Sequence, residues 1–259
     1  MRSKPYSIIT PQYQITSGGI RVMYALQSWL ETRGQIAFVN QFPKESTDFI
    51  AIYPEIMRGN PAEADHVVRY ILNKPGLMTT NGEPGPTVFP HKDKIYVFSE
   101  LYNTLNVDKD HIMFLPVLNL HLFKVTNTNK RKVNCKLIGK GSDLHLPEAN
   151  DAQVITREFA NDQAALADLL NKCEVMYSYD NNSAMFEIAR LCGCRVVVIP
   201  SMYTKEEFNK YEPGMNGISY GLEEDIPLDV QEFRNHYRGM VKTFEDRLDY
   251  FIEDTQNGF

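Results

Sequence analysis

The chain has 259 residues, 43% of them hydrophobic and 23% charged, proportions that exclude a disordered chain, a collagen-like repeat and a small disulfide scaffold. Lys and Arg number 27 against 33 Asp and Glu, a net charge of −6, which speaks against a general nucleic-acid binder, since such proteins present a basic face to the phosphates. At roughly 100–200 residues per domain, the length allows one large α/β unit or two compact lobes.

Residues 6–10 read as a short buried strand, followed by a loop that ends in Ser17, Gly18 and Gly19. A helix over 20–33 carries Val22, Ala25, Leu26, Trp29 and Leu30 on one face and stops at Gly34. Strands are expected at 36–39 and 49–53. Pro61 suits a first helical turn, so 62–73 reads as a helix that ends at Lys74, Pro75 and Gly76. Strands at 95–98 and 112–115 complete a first lobe over 1–120. The pattern fades into polar and basic residues over 120–132, the expected boundary.

A second lobe over 133–228 begins with a strand at 135–138 that runs into Gly139, Lys140 and Gly141. A strand at 153–156, a helix at 163–170, a strand at 174–178, a helix at 183–192 and an apolar strand at 195–199 come next. Strands alternating with helices imply parallel sheets. The last segment, 229–259, has Val230, Phe233, Tyr237, Met240, Val241, Phe244, Leu248, Phe251 and Ile252 in a near-continuous helical stripe. The expected fold is therefore α/β, two Rossmann-like lobes with a C-terminal helix packing across them.

The longest apolar runs, 112–118 and 196–199, fall far short of the ~20 residues that span a bilayer. No extended apolar stretch succeeds the basic start, so no signal peptide and a cytoplasmic location are expected. Cys135, Cys173, Cys192 and Cys194 lack C-x-x-C spacing and read as reduced thiols. The histidines show no metal-binding spacing, and no metal or other cofactor is expected. From 111 to 142 there are six basic residues and no acid, whereas from Glu206 onward thirteen acids face five bases. The basic stretch reads as a solvated linker or as an anion-facing segment. Peripheral membrane contact stays open, as does the oligomeric state.

The most informative stretch runs from Tyr179 to Pro200: a strand end, a polar turn, a helix starting near Asn182 or Ser183, then Gly193 and a β-branched strand. Open parallel sheets bind ligands beyond the carboxyl ends of their strands, and a helix starting there offers unpaired N–H groups and a positive dipole end to an anion. Asn182 and Ser183 would then meet a diphosphate. Glu187, one turn deeper, would accept hydrogen bonds from a ribose diol. The alternative is an ordinary cap at 181–183 with Glu187 paired to Arg190.

This stretch resembles the donor-binding segment of GT-B glycosyltransferases, especially the retaining, family 4-like enzymes of bacterial polysaccharide assembly. Those carry a Glu, seven residues, then Glu-Ala and later Gly-x-Pro-Val-Val. Glu187 and the residues after it, through Gly193, Val196 and Val197, fit the second Glu and its sequel. The family's first Glu falls at Tyr179 and its proline at Arg195; Asp180 stands one residue from the missing acid. Ser17, Gly18 and Gly19 resemble the family's amino-terminal Gly-rich loop, and 137–141 its second-lobe opening, where a basic residue, here Lys140, neutralises the diphosphate. Residues 53–61 resemble a segment of some glycan-assembly transferases, with Glu55 and Arg58 facing the acceptor.

The resemblance implies a metal-independent hexosyltransferase-like enzyme. A nucleotide-sugar would be held by Gly139, Lys140, Arg157, Asp180, Asn182, Ser183 and Glu187, with a glycan or other acceptor near Gly18, Gly19, Glu55 and Arg58 and retention of configuration. The alternative is a nucleotide- or glycan-binding protein of the same fold that has lost turnover, motivated by Tyr179. Two rival motifs fit their contexts poorly. Gly217-Ile-Ser-Tyr-Gly221, with Asp225 and His236, lacks the strand and helix of a nucleophile elbow. Asp108-Lys-Asp110 precedes an apolar run instead of closing a strand.

Overall fold

A computed structural model of the chain describes residues 3–43, 45–80, 82–127, 129–141 and 146–259. The elements are β1 (Tyr6–Ile8), α1 (Gly18–Thr32), β2 (Ala37–Val39), β3 (Ile50–Pro54), β4 (His66–Ile71), β5 (Thr79–Thr80), β6 (Glu83–Pro84) and β7 (Lys94–Val97). After them come β8 (Val133–Leu137), β9 (Gln153–Val154), α2 (Arg157–Asn161), α3 (Gln163–Lys172), β10 (Cys173–Ser178), α4 (Met185–Leu191), β11 (Arg195–Val198), α5 (Lys205–Phe208), β12 (Ile218–Tyr220) and α6 (Val230–Asn257). They form two compact units, the first reaching Val117 and resuming over Met240–Phe259, the second spanning Leu118–Gly239. Helix α6 thus contributes its first ten residues to the second unit and the rest to the first.

Each unit is built on a five-stranded sheet in which every pairing is parallel. The first runs β2-β1-β3-β4-β7 and the second β12-β11-β10-β8-β9. The first, counted along its own unit, has the doubly wound order 2-1-3-4-5, in which the winding direction reverses between the first and third strands. In the second, β8 has β9 on one side and β10 on the other, the same reversal. Parallel strands are buried on both faces, and β3 shows it. Ile50 and Ile52 pack with Val22, Met23, Leu26, Leu30 and, from α6, Phe244, Leu248 and Phe251. Phe49, Ala51 and Tyr53 pack on the other face with Ala62, Ala64 and Val67.

Two expected elements are corrected. The helix expected over 62–73 is β4, six residues paired to β3 on one side and β7 on the other. Its five residues Val67–Ile71 are all buried, and a short apolar run cannot be told from a helix by periodicity alone. The strand expected at 112–115 is reduced to one bridge, Val97 to Ile112. The crossovers β3–β4 and β4–β7 contain no α-helix among the described residues, which is how so short a chain accommodates two such units. Among the described residues no helix is long and apolar enough to cross a membrane.

Candidate functional site

In the second unit the reversal lies between β8 and β10, and the segments leaving those two strands meet there. Lys140 Nζ donates to Asp180 Oδ2 at 2.8 Å and to the Asn182 carbonyl at 2.6 Å, and the Lys140 amide donates to Asp180 Oδ2 at 3.2 Å. Asp180 Oδ1 accepts the Asn182 amide at 3.0 Å. Asp180 is 3% exposed, while the Lys140 side chain remains 34% exposed. An ammonium has three donors, and two of them are engaged among the described residues.

The glycines flanking Lys140 make this contact possible. Gly139 has φ of 56°, and a Cβ there would collide with the Asp180 side chain; a Cβ at Gly141 would overlap the Tyr179 carbonyl. Gly141→Ala is therefore expected to destabilise the chain by about 1–3 kcal/mol, the usual cost of overpacking, as a lowered midpoint in urea titration. An unchanged midpoint would mean that the two turns do not touch.

The helix expected from Asn182 or Ser183 begins later. Helix α4 starts at Met185, has seven residues, and Ala184 is its cap; Ser183 Oγ accepts the Met185 amide at 3.2 Å. With its amide given to Asp180, Asn182 presents its carbonyl to Lys140 instead of an N–H to an anion. Glu187 is 6% exposed on α4, close enough to the Arg190 guanidinium for its charge to hold up that group's pKa against burial, the larger effect, which lowers it. Arg190 is fully buried, donates to the carbonyls of Pro213, Gly214 and Asn216, and lies 3.8 Å from the Phe233 ring centroid.

Asn181, 1% exposed, is a member of the cluster that the motif reading does not single out. Its Nδ2 donates to the Ile199 carbonyl, and its Oδ1 accepts from the amides of Ser201 and Met202. It thereby ties the end of β11 to the same cluster; the only trace in sequence is the polar run Asp180-Asn-Asn182. Arg157, expected near a strand end, is exposed and opens α2, whose first turn Thr156 caps. Residues 142–145, directly after Gly141, lie outside the described set.

The first unit reverses between β1 and β3. Helix α1 begins at Gly18 with Ser17 as its cap, and a Cβ at Gly19 would lie 3.5 Å from Leu72 Cδ1, an ordinary contact. Leu72 in turn gives its amide to Glu55 Oε2 at 2.9 Å. Glu55, directly after β3, is 4% exposed, and burial raises its carboxyl from 4.5 to about 7 against the smaller pull of the Leu72 amide. Arg58 is exposed and donates to the Pro84 carbonyl at 2.6 Å.

The loop between Glu55 and Gly59 is fixed by Arg69, a residue of the stretch expected to be helical. Arg69 is 1% exposed and donates to Asp93 Oδ2 at 2.7 Å and to the carbonyls of Met57 and Gly59 at 2.9 and 2.5 Å. Its signal is a lone arginine inside the apolar run Val67-Val-Arg-Tyr-Ile71, since a buried charge needs partners.

The rival motifs do not assemble. Ser219, 2% exposed in β12, accepts the Ile226 amide, Asp225 pairs with Arg195, and His236 bonds the Glu212 carbonyl. Asp108 precedes a short 3-10 turn without a side-chain bond to it, and Asp110 pairs with Arg247. Among the described residues no group of three or more His, Cys, Asp and Glu could hold a metal ion, and all four cysteines are free and buried.

No protein-family model matches the chain, and neither does any curated protein. Among solved structures it is similar to the crystal structure of WaaG, a glycosyltransferase involved in lipopolysaccharide biosynthesis, at 13% identity and a TM-score of 0.44, over 97% of this chain and 96% of that one. It is also similar to the spinosyn forosaminyltransferase SpnP, at 10% identity and 0.35, over 97% and 95%. A third is the E. coli RcsC C-terminus containing linker region and phosphoreceiver domain, at 13% identity and 0.24, over 94% and 95%. None of these likenesses carries a residue role to this chain.

Proposed function

We propose that the chain is a glycosyltransferase with a GT-B-like division of labour, the second unit taking a nucleotide-sugar and the first a glycan or other acceptor. The observation that carries the reading is the Lys140 ammonium, partly solvated at the reversal point of the second sheet, where doubly wound sheets receive ligands, and preset by Asp180 and the Asn182 carbonyl. Its remaining donor would meet the diphosphate, whose negative charge grows as the glycosidic bond breaks, so a preset cation stabilises the transition state more than the ground state. Ser183 and Arg157 would stand nearby, and Gly18, Gly19 and Arg58 beside the acceptor. Glu187 is buried on α4 in the field of Arg190, so the ribose contact implied by the resemblance is left out of the proposal. The scheme uses no cofactor, the nucleotide-sugar being a substrate, and suits a cytoplasmic enzyme.

A nucleoside diphosphate that binds only the native chain raises its melting temperature. Thermal shift against nucleoside diphosphates and sugar nucleotides is expected to find such a ligand. Lys140→Ala is expected to weaken its binding by about 1.5–3 kcal/mol, the worth of a charged hydrogen bond. No shift across the panel, or equal affinity in the variant by calorimetry, removes the proposal. Binding with no transfer or hydrolysis of labelled donor favours the second reading, a binding protein without turnover, for which the buried Tyr179, 2% exposed where the family has an acid, is the motive.

A further inference from the structure

Three of the four cysteines gather in the second sheet, at the end of β10 opposite Asp180. Cys135 lies in β8, Cys173 opens β10 and Cys194 stands one residue before β11, and β8, β10 and β11 are adjacent strands. All three are fully buried, and each thiol is within hydrogen-bond reach of the other two. Among the described residues no other thiol acts on Cys192, which is equally buried. A cation stands beside the group. Arg131 Nη1 donates to the Leu170 and Cys173 carbonyls at 2.8 and 3.0 Å, and its Nη2 to the Cys192 carbonyl at 2.7 Å. Arg131, Lys130, Glu174 and Gly193 line a surface groove of about 400 Å3. Glu174 and Gly193 are the chain neighbours of Cys173 and Cys194, so the groove opens within one residue of each thiol.

We propose that Cys173 is a site of reversible oxidation by hydroperoxides and closes a disulfide with Cys194, an inference independent of the transferase reading. Thiols become reactive where donors and a cation favour the thiolate. Hydrogen bonds from Cys135 and then Cys194, helped by the Arg131 charge, hold the Cys173 thiol below its usual range against burial. Its hydrogen bond to Cys173 pushes the Cys135 thiol up, and burial does the same for Cys194. The Cys173 sulfur attacks a peroxide oxygen, the O–O bond breaks, and the departing hydroxide takes up a proton to leave as water. The sulfenic acid so formed condenses with a neighbouring thiol. The Cys194 sulfur attacks it, the S–O bond breaks, and the hydroxyl leaves as a second water with the Cys194 proton. Two thiols have then given two electrons to one peroxide. The strand register selects the partner. Val175 pairs with Arg195, which leaves Cys173 and Cys194 one step out of register, whereas Cys173 faces Val133, two residues from Cys135. A disulfide needs Cα atoms within about 7 Å, which the smaller offset suits better.

The test treats the reduced full chain with hydrogen peroxide, quenches it in acid, alkylates it in denaturant and maps the peptides by mass spectrometry. Two of the four thiols are expected to disappear, as a single Cys173–Cys194 bridge that dithiothreitol reverses, with Cys135 and Cys192 alkylated throughout. That readout needs no variant. Cys173→Ser is expected to keep its three remaining thiols free under the same treatment, and Cys192→Ser to form the bridge as the wild type does. Four free thiols in the treated wild type, a bridge that omits either Cys173 or Cys194, or a stable sulfur oxide in place of the bridge overturns the proposal.

Discussion

Replacing Arg69 with leucine is expected to lower the free energy of unfolding by about 3–5 kcal/mol, the cost of breaking a buried ion pair from one side. The substitution fills much of the space but leaves the Asp93 carboxylate, 7% exposed, without its cation and the Met57 and Gly59 carbonyls without their donors. It also removes the guanidinium from over the Tyr53 ring, 5.0 Å from its centroid. The penalty comes from what remains behind, so a second change that neutralises the remainder should recover part of it: Arg69→Leu with Asp93→Asn is expected to be more stable than Arg69→Leu alone. Urea unfolding of the three proteins checks both statements. A loss under about 1 kcal/mol, the range of a surface pair, would mean that Arg69 is solvated and does not order the loop after β3.

Glu55 carries the second large effect, and it depends on pH. Burial raises its carboxyl from 4.5 to about 7, so between those values the folded chain holds a proton that the unfolded chain has released. The linked stability is fully present below about pH 4.5 and is lost as the pH rises through 7. The shift corresponds to on the order of 3 kcal/mol. Glu55→Gln cannot ionise and keeps an oxygen for the Leu72 amide, so its stability relative to wild type is expected to climb between about pH 5 and 8 by most of that amount. Urea unfolding at several pH values gives the difference curve directly. A flat curve would show that the carboxyl is solvated in the folded chain.

The features legible from the chain alone are those decided over short separations. Ser17 before an apolar stripe announces α1, and its hydroxyl does cap Ile20. Gly193 ahead of a β-branched run announces β11, and the periodic stripe after Val230 announces α6. Elements whose state depends on neighbours distant in sequence are the ones that read wrongly. Residues 66–71 carry a strand preference in Val67, Val68, Tyr70 and Ile71 that the proline before them masks as a helix start; pairing with β3 and β7 makes them a strand. The 218–220 segment looks like a loop between polar turns, yet its pairing with β11 makes it the edge of the second sheet.

The candidate site divides the same way. Composition and alternation announce two α/β halves with Lys140 and the 179–183 turn at strand ends, because strand and turn preferences are set by each residue's own backbone and its immediate neighbours. Which charges are neutralised is settled only by folding. Lys140 meets Asp180 forty residues on, since β8 and β10 are adjacent, and Glu187 lies buried in the field of Arg190 on its own helix. Glu55 is left with backbone amides, that of Leu72 and its own, because Arg69, buried on the adjacent strand, is spent on Asp93 and two carbonyls. Such pairing reflects desolvation and Coulomb energy between groups brought together by the sheet order, and neither quantity exists until the strands have paired.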